Sequence, residues 1–174
     1  MSLAVISYPK LSQTDVGWLA KIRTIYPKLH YPKFAPHFTF VFPSERISAD
    51  ILIGHVQAQT ATQPRIRFTI RCALPMPDAL SDNTHLFLVP DEGFSAILRL
   101  HDRLYTGLLA DDLRLDIPYI PHITLGYTPD PAFCKQVADD LNRQPFTISG
   151  AIEQLSIVRV EGETATTIAS IPLI

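Results

Sequence analysis

Two short stretches of this chain carry the residue types that acid-base chemistry needs. Pro36-His37-Phe38-Thr39-Phe40 and Pro121-His122-Ile123-Thr124-Leu125 share the order Pro-His-apolar-Thr-apolar and lie 85 positions apart, close to half of the 174 residues. Six His and 14 Thr placed at random would give about 0.5 His-x-Thr occurrences, so one copy would mean little. Two copies with matching flanks mean more. Each follows a loop with a second proline (Pro32, Pro118) and precedes another proline and a predicted helix, so the repeat reads as a strand-plus-helix unit used twice.

On a strand, residues i and i+2 share a face. His37 and Thr39 therefore project together, with Phe38, Phe40 and Phe42 expected in the core on the other side. The same parity puts His122, Thr124 and Gly126 on one face and Ile123, Leu125 and Tyr127 on the other. Packed about a pseudo-twofold axis, the two strands would present two imidazoles and two hydroxyls to one cleft. Histidine titrates near ~6.5, so one ring can be neutral and its twin protonated around neutral pH. That pairing suits displacement at phosphorus, one imidazole taking the proton of the attacking water or hydroxyl and the other protonating the departing oxygen. The threonine hydroxyls would donate to the nonbridging oxygens as charge develops. Which histidine is the base stays open, because the copies are nearly symmetric.

The elements that must hold these residues follow from the pattern. A strand is predicted at 3–8, and Ser12-Gln-Thr-Asp15 has the form of a capping box before the helical spacing Trp18, Leu19, Ile22, Ile25, which Pro27 ends. A strand at 37–42, a helix at 48–59 and strands at 65–74 and 84–90 come next, the last two separated by the turn-rich stretch 74–83. The clearest helix is 93–109, striped by Phe94, Ile97, Leu98, His101, Leu104, Tyr105 and Leu108. A strand at 119–127 precedes a helix opened by Asp130-Pro131. Strands at 146–160 and 165–173, joined through Glu161-Gly162-Glu163, form a hairpin. Helices and strands interleave around at least one hairpin, which points to α+β rather than a parallel doubly wound sheet.

Composition narrows the function. A chain 47% hydrophobic and 18% charged is globular and has no disordered tail. Apolar runs fall short of the ~18 residues of a membrane span, and no secretory leader is apparent, so a cytoplasmic location is expected. Fifteen basic against 17 acidic residues lack the broad positive field that grips long duplex nucleic acid. Cys72 and Cys134 form neither a disulfide framework nor a metal finger. Asp111, Asp112 and Asp116 read as a solvated loop, and two histidines without a spaced third ligand leave a zinc site incomplete, so no metal is expected. Phosphate loops of the GxGxxG and GxxxxGK[ST] types are absent, which disfavours nucleoside-triphosphate and dinucleotide chemistry. His30, His55 and His85 lack a threonine two places on and read as structural or exposed, and His101 reads as a core histidine.

The paired His-x-Thr motifs, their half-chain spacing and the alternation of helices and strands closely resemble the 2H phosphoesterase superfamily, which includes 2′-5′ RNA ligase-like proteins and cyclic nucleotide phosphodiesterases. The resemblance covers essentially the whole chain. It implies one domain over residues 1–174 with a bilobal α+β fold, two pseudo-symmetric lobes whose largely antiparallel sheets line a central cleft and whose helices pack outside. It also implies metal-independent, cofactor-free opening of 2′,3′-cyclic phosphates, with His37 and His122 catalytic and Thr39 and Thr124 on the substrate phosphate. The expected partner is a cyclic nucleotide or short RNA end, and the expected state a monomer. Joining of RNA ends and noncatalytic binding of a phosphate or RNA end in the same groove are the alternatives.

Overall fold

A computed structural model describes residues 2–162 and 164–174. Of the predicted hairpin turn, Glu163 lies outside the described residues. Among those described, nine strands and four α-helices follow one another as β1 (Ser2–Ser7), β2 (Lys10–Leu11), α1 (Gln13–Ile25), β3 (Phe38–Ser44), α2 (Ala49–Thr60), β4 (Ile66–Pro77), β5 (Thr84–Glu92), α3 (Phe94–Leu104), β6 (Ile123–Thr128), α4 (Pro131–Arg143), β7 (Ile148–Ile152), β8 (Gln154–Glu161) and β9 (Thr164–Pro172), with a 3₁₀ turn at Gly107–Asp112 after α3. Among the described residues no helix is long and apolar enough to cross a membrane.

The helix starts follow local chemistry. Ser12 Oγ accepts from the Asp15 amide at 3.1 Å, and Asp130 Oδ1 accepts from the Phe133 amide at 3.0 Å with Pro131 in the first turn, so both predicted caps form. α3 is shorter than the sequence stripe suggests. It stops at Leu104, Gly107 turns to φ 55°, and Leu108 is 66% exposed. The apolar stripe continues past the helix because a 3₁₀ turn spaces side chains similarly for a few residues.

The strands form two antiparallel sheets, in the order β3-β1-β8-β9 and β2-β7-β4-β5-β6. The single strand expected over 146–160 is two strands in different sheets, β7 beside β4 and β8 beside β1, divided at Glu153. An alternating apolar pattern has the same period in either sheet, so it does not mark where a chain crosses from one to the other. Both lobes feed one continuous core. Val5 and Phe40 of the first sheet and Phe68, Leu86 and Leu88 of the second are all buried in it. Phe38 and Phe68 meet edge to face across the sheets, centroids 5.0 Å apart. Burying such a side chain is worth about 1.5–3 kcal/mol, so the residue following His37 helps hold the lobes together.

The two motif strands occupy equivalent places, β3 at the edge of its sheet and β6 at the edge of the other. Each carries a bulge directly after the motif threonine. Thr39 pairs with Ile6 but Val41 with Val5, and Thr124 pairs with Phe87 but Gly126 with Leu86, leaving Phe40 and Leu125 as inserted residues. A bulge resets the alternation of faces. Phe42 and Tyr127 are therefore half-buried, Phe42 lining the same groove as His122 and Tyr127 packed on His30 and His85, which corrects the expectation that both lie in the core.

Gly126, at the second bulge, lets the loop before β3 come close. The His30 and Tyr127 backbones exchange two hydrogen bonds there, at 2.8 and 2.9 Å. A Cβ on Gly126 would stand 2.9 Å from the His30 carbonyl oxygen and 3.3 Å from Leu29 Cβ. Gly126→Ala is expected to lower stability by about 1–3 kcal/mol, the usual cost of overpacking, read as a lower urea midpoint at unchanged m-value. An unaltered midpoint would show that the loop yields freely.

Candidate active site

Each motif histidine stands immediately before its edge strand, and the residue order fixes how its ring is held. A proline precedes each histidine, and the residue before a proline is driven to extended backbone. The carbonyl of that residue is the ring's partner in both copies, Nδ1 of His37 lying 2.9 Å from the Ala35 oxygen and Nδ1 of His122 2.6 Å from the Ile120 oxygen. A carbonyl accepts and cannot donate, so Nδ1 carries the proton in each ring. Nε2 is left with the lone pair, the position from which a proton can be taken.

The two motifs line neighbouring depressions. His122 and Thr124 line a groove of about 680 Å³ with Phe42, His85, Phe87 and Tyr119 among its walls. His37 and Thr39 line a shallower pocket of about 100 Å³ with Phe34. Pro43 belongs to both walls. The approach to the second motif is tied to the first, because the Tyr119 hydroxyl donates to the Thr39 carbonyl oxygen at 2.8 Å. This approach is irregular backbone, since β6 begins at Ile123 rather than at the expected residue 119.

His122 is packed face to face on Phe87, with centroids 3.5 Å apart and planes within 13°. From Phe87 the rings continue through His85 at 5.8 Å, Tyr127 at 5.6 Å and His30 at 5.3 Å. His85, which reads from sequence as structural or exposed, thus forms part of the groove wall, its Nε2 3.6 Å from Asp78 Oδ2. Burial under this stack pushes the His122 pKa down to about 4, opposed by the Ile120 carbonyl and reinforced by the charges of His37 and His85. Burial also lowers His37, with the Ala35 carbonyl working the other way. Both rings are therefore neutral near pH 7, in place of the one-neutral, one-charged pair expected from unperturbed histidines.

The charged residues at the groove are largely paired with one another. Arg46 bridges Asp112 at 2.9 Å and Asp111 at 3.9 Å, Ser44 Oγ donates to Asp112 at 2.9 Å, and Arg114 pairs with Asp116 at 2.6 Å. The acidic loop is thus an ion-paired rim. Among the described residues no group of three or more His, Cys, Asp or Glu side chains is arranged to hold a metal ion.

The groove aromatics are the part that residue reading misses, although the repeat does contain the signal. Phe34 and Tyr119 stand three residues before the two histidines, and Phe42 and Tyr127 stand five after. The repeat therefore spans nine positions with an aromatic at each end.

A bilobal α+β fold with a duplicated His-x-Thr motif, one copy at the edge strand of each sheet in neighbouring depressions, has the features of the class of two-histidine phosphoesterases. The 2′-5′ RNA ligase superfamily matches residues 11–164, and this chain belongs to that superfamily of 2H phosphoesterases and RNA ligase-like proteins. Solved structures share the fold. TT0787 of Thermus thermophilus superposes with a TM-score of 0.70 at 19% identity, over 99% of this chain and 98% of that one. Escherichia coli LigT complexed with 3′-AMP gives 0.62 at 18% identity, over 99% and 97% of the two chains. Kluyveromyces marxianus Usb1 gives 0.53 at 11% identity, over 99% and 98%. Escherichia coli LigT is also known complexed with NADP+ and with ATP. No curated protein sequence matches this chain significantly.

The lowered His122 pKa has a stability consequence. The folded value of about 4 lies beneath the ordinary 6.5, so between those pH values the unfolded chain binds more protons than the folded one. Stability is expected to fall as pH drops from 6.5 to about 4, with this contribution lost below, and His122→Gln should flatten that slope. NMR of the imidazole Cε1–H should show His122 neutral at pH 6 and protonating near 4. Titration at or above 6.5 would contradict the account.

Proposed function

We infer that this protein is a metal-independent phosphoesterase that hydrolyses 2′,3′-cyclic phosphodiester bonds of nucleotides or short RNA ends, using His37 and His122 as acid and base and Thr39 and Thr124 as phosphate ligands. The observation that carries this reading is the duplicated motif with its ring held identically in each copy. Membership of the superfamily supports it, as do the nucleotide complexes of Escherichia coli LigT on the same fold. The chain's near-neutral charge and ion-paired rim favour a small substrate over a long duplex.

His122, the ring held more firmly neutral, is the base. Its Nε2 takes a proton from water as the water oxygen bonds to phosphorus, and one ester bond of the cyclic phosphate breaks. The departing ribose oxygen takes a proton from Nε2 of protonated His37. The products are a phosphate monoester and a free hydroxyl, and the exchanged protons restore the rings through solvent. The two threonine hydroxyls donate to the nonbridging oxygens, where negative charge gathers in the transition state. Bound phosphate raises the pKa of both rings, so the substrate's own charge helps to protonate the acid.

Turnover of a 2′,3′-cyclic mononucleotide, followed by product chromatography, tests the reading. Activity is expected to survive EDTA. His37→Ala and His122→Ala should each cost about 10²–10⁴-fold in kcat, and Thr39→Val or Thr124→Val about 10²-fold. For the free enzyme, kcat/KM should fall as pH drops through about 4, where His122 gains its proton, and as pH rises through a value below 6.5, where His37 loses its own. The optimum therefore lies on the acid side of neutral, with the kcat profile displaced to higher pH. Full activity in either histidine variant, or 2′-5′ joined RNA without hydrolysis, would overturn the proposal.

A further inference from the structure

We propose that His101, buried behind the groove, is a positioning residue that fixes the two His-x-Thr motifs relative to each other through Tyr105 and Tyr119. The proposal rests on the phosphoesterase reading above. His101 sits in the last turn of α3, the helix that packs against β3 of the first sheet and against β4 and β5 of the second. It is 2% exposed. Its ring stacks on Tyr119 with centroids 3.5 Å apart and planes within 20°, and leans on Tyr105 at 4.8 Å.

The two tyrosines carry this placement to the motifs. Tyr119 donates its hydroxyl proton to the Thr39 carbonyl oxygen at 2.8 Å, and the Tyr105 oxygen accepts from the Phe42 amide at 2.9 Å. Those two backbone groups flank the bulge at Phe40 on β3, an edge strand that among the described residues has a neighbour, β1, on one side only. Tyrosine hydroxyls thus take the place of a strand neighbour there and hold the bulge that follows the first motif. Tyr119 also stands three residues before His122. One ring stack therefore fixes the entry to the second motif and the exit from the first.

Packing alone does not call for a histidine at this position. Its Nδ1 is bonded to Asp102 at 3.1 Å, but its Nε2 is buried with no partner among the described residues. A buried nitrogen without a partner is costly, and an aliphatic side chain would avoid that cost. An aliphatic side chain would also lose the flat face against which Tyr119 is aligned. Burial of its hydroxyl drives the Tyr119 phenol far above its usual range, so it stays a neutral donor.

The experiment compares Tyr119→Phe, which keeps the ring and deletes the hydroxyl, with His101→Leu and His101→Phe, which remove and retain a flat partner. Turnover of a 2′,3′-cyclic nucleotide should show kcat lowered about 10–100-fold in Tyr119→Phe and His101→Leu, as expected for reacting groups displaced by up to ~1 Å. KM should stay within about twofold, and His101→Phe should recover most of the lost kcat. A second readout does not depend on turnover. Removing His37 (His37→Gln) should raise the NMR titration of His122, because the neighbouring cation is gone, and this increment should shrink in the Tyr119→Phe and His101→Leu backgrounds. Unchanged kcat in both variants, or losses that track the unfolded fraction with the increment intact, would overturn the proposal. Should His101→Leu fail to fold, Tyr119→Phe decides. Should the wild type turn over no cyclic nucleotide, the phosphoesterase reading falls, and the titration increment alone judges the positioning role.

Discussion

Both motif sites depend on one hydrogen bond made twice, from the Nδ1–H of a histidine to the carbonyl two residues before it. A neutral imidazole has one proton and two nitrogens, and this bond decides which nitrogen keeps it. With the proton on Nδ1, Nε2 is free to accept. In the opposite tautomer Nε2 would be a donor, and the ring could not begin a proton abstraction there. The partner's chemistry matters as much as its position. A carboxylate in that place would stabilise the imidazolium, whereas a backbone carbonyl holds the ring with a weaker pull on the charge. Burial therefore wins at both histidines, and both rings are neutral near pH 7.

Under the proposed reading, a neutral pair suits a site whose ligand is an anion. Each charged ring would oppose protonation of the other, and the arginines at the rim are already engaged by Asp111, Asp112 and Asp116. A phosphodiester, the proposed substrate, would supply the missing field. One negative charge about 4 Å from a ring, at an effective dielectric of ~20, is worth about 4 kcal/mol, which corresponds to about 3 pH units. Under the proposed reading that is enough to favour the protonated form of His37, the acid, while His122 starts from about 4 and remains the ring that accepts a proton. Substrate and site would then generate the working protonation state together, and neither holds it alone.

Local chemistry is legible in the residues, and long-range geometry is not. Ser12 and Asp130 announce their helices because an N-cap is a bond across three residues. The motif pair and the α+β class are legible for the same reason, since both are short patterns repeated. The bulges escape a parity argument because one inserted residue leaves no mark in composition, yet each reverses the side chains that directly follow it. Parity alone assigns Phe42 and Tyr127 to the core, but Phe42 lines the groove and Tyr127 packs against His85, a residue of its wall, both half-buried. The crossing between sheets at Glu153 is hidden likewise, since Ile152 and Leu155 fit either sheet. His101 shows the limit from the other direction. Its burial is readable from the helical stripe, but its stack on Tyr119 joins residues 18 apart whose meeting only the packed lobes decide.

The two halves also show what duplication contributes and what divergence adds. The backbone device is the same in both, with proline, ring-to-carbonyl bond, threonine, bulge and aromatic at matching places. The surroundings are not. His37 makes T-shaped contacts with Phe34, which lines the smaller pocket with it, and with Tyr8, at 5.9 and 6.2 Å. His122 lies flat against Phe87 at the base of the larger groove. An edge contact leaves a ring partly open to water, while a stacked face removes water from one whole side, so like rings acquire unlike proton affinities. Perfect symmetry would give two imidazoles that compete for the same proton. The unequal aromatic packing breaks that degeneracy, and it puts the room for the rest of a ligand on the side of the ring that holds its proton less tightly.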